Sequence, residues 1–206
     1  MKAWISLSRE LKNRDPLLRP IIEVVGPPKI DLKPEPFRAL CEAILSQQLA
    51  GSAARAIIGR FAEVEPPFPK PKTVASLKTP RFRSLGISAQ KGSYLVALAR
   101  AWQNERWRSD WKKLDNDTLV ERLVAVKGIG TWTAHMFLIF SLGRPDVFPT
   151  GDYGVRKGFQ LLHGLPELPK PSEMMPMVPH WEGAYAVASW YLWRALDRKL
   201  LVADKE

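Results

Sequence analysis

The sequence predicts an all-α fold, and three observations predict it. Apolar residues recur at helical spacing through most of the chain. No segment alternates apolar and polar residues as a half-buried strand would. Proline and glycine punctuate the chain closely enough to leave room only for short helices, about ten of them, with no tandem repeat. The 206 residues are 46% apolar and 25% charged, enough to bury one core or two small ones.

Residues 3–26 carry apolar positions at helical spacing. Pro16 is placed to open a helix through Leu17, Leu18, Ile21, Ile22 and Val25, and Gly26-Pro27-Pro28 ends it. After an extended segment at 34–36, Phe37, Leu40, Cys41, Ile44, Leu45 and Gln48 fall on one helix face. Gln47 and Gln48 close that helix. Their amides either satisfy loose backbone groups at its end, or one of them lines a pocket. An amphipathic segment at 53–62 follows, then a connector at 66–71 whose four prolines in six residues exclude helix.

Residues 73–78 form a short helix. Leu85-Gly86-Ile87-Ser88 then turns into a helix through Tyr94, Leu95, Leu98 and Trp102, with Ser88 as its cap. A helix over 118–126 has capping-box spacing at Thr118 and Glu121. Lys127-Gly128-Ile129-Gly130 leads from it into a helix carrying Trp132, Met136, Phe137 and Phe140, which stops at Gly143. Residues 153–162 are helical, 164–179 form a Pro-rich loop, and 185–201 make a last long helix.

Net charge is +10 and the isoelectric point about 9.9. Such a balance suits a polyanionic partner, since Lys and Arg neutralise phosphates and release counterions; a soluble protein that is merely basic is the alternative. The charge concentrates at 81–113, where Arg81, Arg83, Lys91, Arg100, Arg106, Arg108, Lys112 and Lys113 face only Glu105 and Asp110, interleaved with Trp102, Trp107 and Trp111. No run reaches the ~18 apolar residues of a membrane span. The basic N-terminus lacks the apolar core of a secretory signal. A lone cysteine, Cys41, excludes an internal disulfide and a Cys-rich metal or iron–sulfur site. A cytoplasmic protein is expected.

Two features carry chemistry. Two glycines flanking one apolar residue, Gly128-Ile129-Gly130, let the chain reverse tightly between antiparallel helices. The amides of Gly128 to Thr131 then point outward at a helix N-terminus, where orphan N–H groups and the helix dipole favour an anion. A purely structural hairpin is the alternative reading of the glycines alone; Leu123-x-x-Val126 before the turn and the small pair Thr133-Ala134 after it favour the specialised one. Asp152 follows Pro149-Thr150-Gly151 at a helix start, where it is either a capping carboxylate or a catalytic one.

Leu123-x-x-Val126-Lys127-Gly128-Ile129-Gly130-x-Trp132-Thr133-Ala134, with Asp152 further on, resembles the helix-hairpin-helix (HhH-GPD) DNA glycosylase superfamily, and within it the 3-methyladenine DNA glycosylase II branch. The likeness runs from about Asp15 to Arg194, through Ile44-Leu45-Ser46-Gln47-Gln48-Leu49, Asp146-Val147-Phe148-Pro149, Gly154-Val155-Arg156-Lys157-Gly158 and Trp190-Tyr191-Leu192-Trp193-Arg194. It implies two helical subdomains flanking a cleft: a central one at 34–148 with the hairpin, and a second formed by 1–33 plus 149–206.

The resemblance also implies roles. Gly128, Ile129, Gly130 and Thr131 would hold the DNA backbone, and the carbonyls of Val124, Val126 and Ile129 a monovalent cation (Na+ or K+), with no cofactor required. Asp152 would be the catalytic carboxylate, stabilising the positive charge that builds on the sugar as an N-glycosidic bond breaks. Trp132 occupies the position where strand-cutting relatives carry a Schiff-base lysine, and Lys127 does not match it, so base release without strand cleavage is expected. A base flipped out of the duplex would enter a pocket of Trp132, Met136, Gln47 and Tyr191, with Trp193 a further candidate; aromatics at helical spacing are as readily core. The wedge filling the vacated stack would come from Ile87 and Ser88, although Ser88-Ala89 are smaller than relatives carry there. Tyr185-Ala186 likewise replaces an Arg-Ser pair.

The expected partner is double-stranded DNA with damaged bases, bound by a monomer with no membrane contact, nucleoid-associated if the source is bacterial. The expected substrates are alkylated purines, 3-methyladenine and 7-methylguanine. The alternatives are a glycosylase for hypoxanthine or ethenoadenine and a non-catalytic hairpin module that binds DNA.

Overall fold

The computed structural model describes residues 2–33, 35–108, 110–111 and 113–201, without the side chains of Arg106 and Arg108. Lys112 of the basic cluster therefore lies outside the described residues. The elements in order are α1 (Lys2–Arg14), α2 (Leu18–Val25), α3 (Pro36–Ser46), α4 (Gly51–Ala62), α5 (Pro71–Ser76), α6 (Thr79–Ser84), α7 (Ala89–Gln103), α8 (Glu105–Arg108), α9 (Asn116–Val124), α10 (Thr131–Phe140), α11 (Tyr153–Leu162), α12 (Pro171–Met177) and α13 (Tyr185–Asp197), with a 3-10 turn at Pro179–Trp181. Among the described residues there is no strand, and no helix is long and apolar enough to cross a membrane.

Several boundaries differ from expectation for local reasons. The N-terminal stretch breaks at Asp15, whose Oδ1 accepts the N–H groups of Leu17 and Leu18 and so starts α2. Helix α6 was not signalled by periodicity, because Phe82 is its one buried residue. Asp115, not Thr118, caps α9: its two oxygens take the Thr118 N–H and hydroxyl at 2.8 Å each. The expected loop at 164–179 contains α12, begun by Pro171, whose fixed φ suits a first helical turn, and anchored by buried Met174. Helix α13 ends at Asp197 rather than 201; Lys199 adopts a left-handed φ of 55° and the Leu200 N–H returns to Ala195 O.

The chain forms two compact units, a first that combines 1–32 with 138–206 and a second at 33–137. The C-terminal division falls inside α10, earlier than the expected 148/149. The reason is packing of the segment after α10: Trp4 donates to Gly143 O, the Ala186 N–H to Pro145 O, and the Gly183 N–H to Asp146 Oδ1. Phe148 then stacks on Tyr185 and meets Phe159 and Trp181.

In this first unit α13 packs against α1, α2 and α11 around fully buried Leu11, Leu18, Phe159, Trp181 and Tyr191. In the other unit, α3, α4, α5, α6 and α7 enclose Leu40, Cys41, Ile44, Phe61, Val74 and Leu95. Trp102, Trp107 and Trp111 contact one another there, with Phe37 and Phe137 at the ends of the cluster.

Candidate DNA-binding and catalytic site

The hairpin is built in the second unit by the end of α9 and the start of α10. The Val126 N–H reaches Leu123 O, and the Ile129 N–H returns to Val126 O at 3.0 Å, closing the turn. Val126 and Ile129 are buried and pin it from within, while Val124, Gly130 and Thr131 are exposed. The two glycines are not equivalent. Gly128 has φ +94°, and a Cβ there would lie 2.2 Å from Tyr94 Cγ. A Cβ on Gly130 would meet nothing within 4 Å, so that position is open to an approaching group.

Gln47 supports the hairpin: its Nε2 donates to Gly128 O at 3.0 Å. The same turn between α3 and α4 holds Gln48, expected on the helix face or in a pocket, and Leu49, to which the sequence assigns no role. Gln48 is a non-glycine residue at φ +57°, a conformation costing roughly 1–2 kcal/mol, and Leu49 after it is 38% exposed. An apolar Leu after two glutamines, off the buried face of α3, is the signal that could have found it.

The expected wedge pair divides. Ile87 is 2% exposed and its N–H is bonded to Phe82 O, so it belongs to the core. Ser88 is exposed, and its hydroxyl caps α7 by accepting the Lys91 N–H at 3.2 Å.

Asp152 is in the first unit. The Thr150 N–H returns to Phe148 O and the Asp152 N–H to Pro149 O, both at 2.8 Å, so two consecutive tight turns deliver the carboxylate to the start of α11. Its Oδ1 accepts the Val155 N–H and the indole N–H of Trp193, each at 2.9 Å. Trp193 is half-buried, with its ring 5.8 Å from that of Phe140 and tilted by 32°. Gly154 lies beneath this bond; a Cβ there would sit 3.0 Å from Trp193 Cδ1 and 3.2 Å from Asp152 Oδ1. Asp152 is thus a helix cap, as its position suggested, and also a carboxylate held by an aromatic donor.

A family profile described as HhH-GPD superfamily base excision DNA repair protein matches residues 41–179. The chain belongs to that family. DNA-3-methyladenine glycosylase 1 of Schizosaccharomyces pombe is 35% identical over 181 residues, which cover 84% of this chain and 79% of the relative. The structure of the Schizosaccharomyces pombe 3-methyladenine glycosylase in complex with abasic DNA matches with a TM-score of 0.80 at 32% identity, over 98% of this chain and 99% of that one. A DNA-3-methyladenine glycosidase from Bacillus halodurans matches with a TM-score of 0.84 at 33% identity, over 92% and 88%.

In this HhH-GPD chain the expected pocket residues separate. Trp132 is 50% exposed at the start of α10, and Met136 lies half-buried one turn on, while Thr133, Ala134 and Phe137 of the same helix are buried. Tyr191 is not a pocket residue. It is fully buried, its hydroxyl donates to Gly26 O at 2.9 Å, and it lies 2.6 Å from Ser8 Oγ. Burial pushes its phenol up from the ordinary range, against a smaller downward effect of the Ser8 bond. Two residues along α13, Trp193 is the aromatic residue that meets Asp152.

Proposed function

We propose that this chain is a monofunctional DNA glycosylase of base excision repair, releasing alkylated purines such as 3-methyladenine and 7-methylguanine from double-stranded DNA and leaving an abasic site. The observation that carries the reading is Asp152, a carboxylate fixed at the start of α11 by a backbone N–H and the Trp193 indole. Relatives named 3-methyladenine glycosylases support the choice of substrate.

Hydrolysis breaks the bond between C1′ and the base nitrogen, and the electron pair leaves with the base. The oxygen of water bonds to C1′ and one of its protons passes to the solvent. Positive charge builds on the sugar as the base departs, so a fixed carboxylate stabilises the transition state more than the ground state. An alkylated purine is already cationic and leaves as a neutral base, which removes the need for a general acid. Trp132 and Met136 are the proposed stacking surface for the flipped base, an electron-rich ring suiting an electron-poor one. Leu49 with Gln48 is the proposed wedge. The residue at position 132 is tryptophan and not a Schiff-base lysine, which supports base release without strand cleavage.

The amides of Gly128 to Thr131 are the proposed phosphate grip. The residues around it suit a monovalent cation. Val124 closes α9, so its carbonyl is among those a helix leaves without an internal donor; Val126 O accepts the Ile129 N–H and keeps a second lone pair. With Ile129 O these would hold Na+ or K+, adding positive charge beside the phosphate. The working form is a cytoplasmic monomer.

A duplex with one alkylated purine, incubated with the protein and then treated with alkali, tests the reading. Strand breaks that appear only after alkali are expected. Breaks before alkali would overturn the monofunctional part. No release with duplex binding intact would leave a non-catalytic hairpin module, and release confined to hypoxanthine or ethenoadenine would overturn the substrate class.

A further inference from the structure

Helix α7 touches both of the turns assigned to DNA above. Lys91 Nζ donates to Leu45 O and to Gln47 O, each at 2.7 Å. These carbonyls end α3, where a positive charge is favoured by the helix dipole. The end of α3 is otherwise weakly closed: Gln47 leaves it with φ −51° and ψ 130°, outside the helical region, and its own N–H is 3.4 Å from Ile44 O.

Gln47 also reaches the other way, through Nε2 to Gly128 O in the hairpin. Tyr94, one turn beyond Lys91, lies against Gly128, and Gln90 holds the Tyr94 hydroxyl at 2.8 Å. Lys91, Gln47 and Gly128 therefore form a continuous chain of hydrogen bonds from α7 through the Leu49-bearing turn to the hairpin. Burial pushes the Lys91 amine down from its ordinary range.

We propose that Lys91 is a positioning residue that couples the Leu49-bearing turn to the hairpin through Gln47, so that seating the hairpin on a duplex also fixes the turn that probes the base stack. The coupling stands on the geometry; its consequence for recognition rests on the glycosylase reading. A lysine that merely capped α3 would leave the hairpin indifferent to its loss.

The test uses Lys91→Met, Gln47→Leu and the double variant of the full chain. Without DNA, hydrogen exchange at 127–131 is expected to accelerate in both single variants. With DNA, the affinity for an abasic-site duplex relative to an undamaged one is expected to fall roughly tenfold in each single variant and no further in the double, as for groups acting in one series. Hairpin exchange unchanged in Lys91→Met, or losses that multiply in the double variant, would overturn the coupling. If Lys91→Met does not fold, Gln47→Leu leaves the Lys91 bonds to the main chain available, and unchanged hairpin exchange in that variant is equally fatal. Failure of the glycosylase reading looks different: alkylated DNA stays intact in the wild type while exchange still links the two turns.

Discussion

Trp193 donates its indole N–H to Asp152 Oδ1 at 2.9 Å, and that same oxygen caps α11 by accepting the Val155 N–H. The carboxylate is held from the helix below it and from the ring beside it. Asparagine keeps an oxygen for the cap and is as good an N-cap as aspartate, so Asp152→Asn should fold normally. It removes the negative charge proposed to stabilise the oxocarbenium-like sugar. We expect base release to be abolished while duplex binding is retained, read by single-turnover excision beside a binding titration. Full excision activity in this variant would remove Asp152 from the chemistry.

Trp193→Phe isolates the indole donor. Phenylalanine keeps an aromatic ring against Phe140 but cannot donate to Oδ1. A hydrogen bond to a charged group contributes about 1.5–3 kcal/mol, and a carboxylate freed of it samples more orientations. Excision should slow roughly tenfold or more with binding of an abasic duplex little changed. A variant as fast as the wild type would assign Trp193 to packing alone.

The glycines of the hairpin separate folding from binding. Gly128→Ala places a methyl group into the Tyr94 ring at a left-handed φ, two costs that together amount to roughly 2–4 kcal/mol. Gly130→Leu adds bulk where the structure is open. Thermal unfolding should therefore drop markedly for the first and little for the second, whereas DNA affinity should fall at least severalfold for the second in its folded state. Undiminished affinity in Gly130→Leu would mean that no backbone approaches the turn there.

Leu49 and Ile87 give an equally sharp contrast. Ile87→Ala empties a buried site and should destabilise by about 2–5 kcal/mol. Leu49→Ala removes a partly exposed side chain and should leave the melting temperature nearly unchanged while slowing excision. If the alanine at 49 excises at the wild-type rate, the turn between α3 and α4 does not supply the wedge.

These contrasts show where sequence reasoning reaches its limit. The helix start at Asp152 is legible because proline, threonine and glycine before it force a turn and the apolar spacing after it forces a helix, while its catalytic role is implied by the family resemblance alone. The hairpin turn is legible because two glycines flank one apolar residue between two helical patterns, and its DNA role is implied by the family resemblance. Tyr191 and Trp193 are a different case: they lie two positions apart on α13, hence on different faces, and periodicity in a helix buried through most of its length does not say which face meets the core. Lys91 reads as one more surface cation, because the carbonyls it binds belong to Leu45 and Gln47, distant in the chain. The wedge follows the same pattern. Two loops each precede a helix, and only the packing of Ile87 beside Phe82 shows which of them is closed.

Asp15 sets an acid limit on the first unit. Its side chain is buried, and it accepts the N–H groups of Leu17 and Leu18, the Trp181 indole N–H at 2.6 Å and the His180 ring at 3.1 Å. Burial alone would push its carboxyl up, but the bonds from Leu18, Trp181, His180 and Leu17 outweigh it and hold the group below its ordinary value. A depressed carboxyl contributes stability that is fully present above its unfolded value, about 3.9, and is lost as pH falls through the lower folded value. Unfolding temperature should therefore hold steady from neutrality to about pH 5 with respect to this group and decline below about pH 4. Asp15→Asn faces the same donors with a neutral amide, and should lower stability at neutral pH by on the order of 2–3 kcal/mol while flattening the decline. An acid limb identical to that of the wild type would place the loss on other carboxylates.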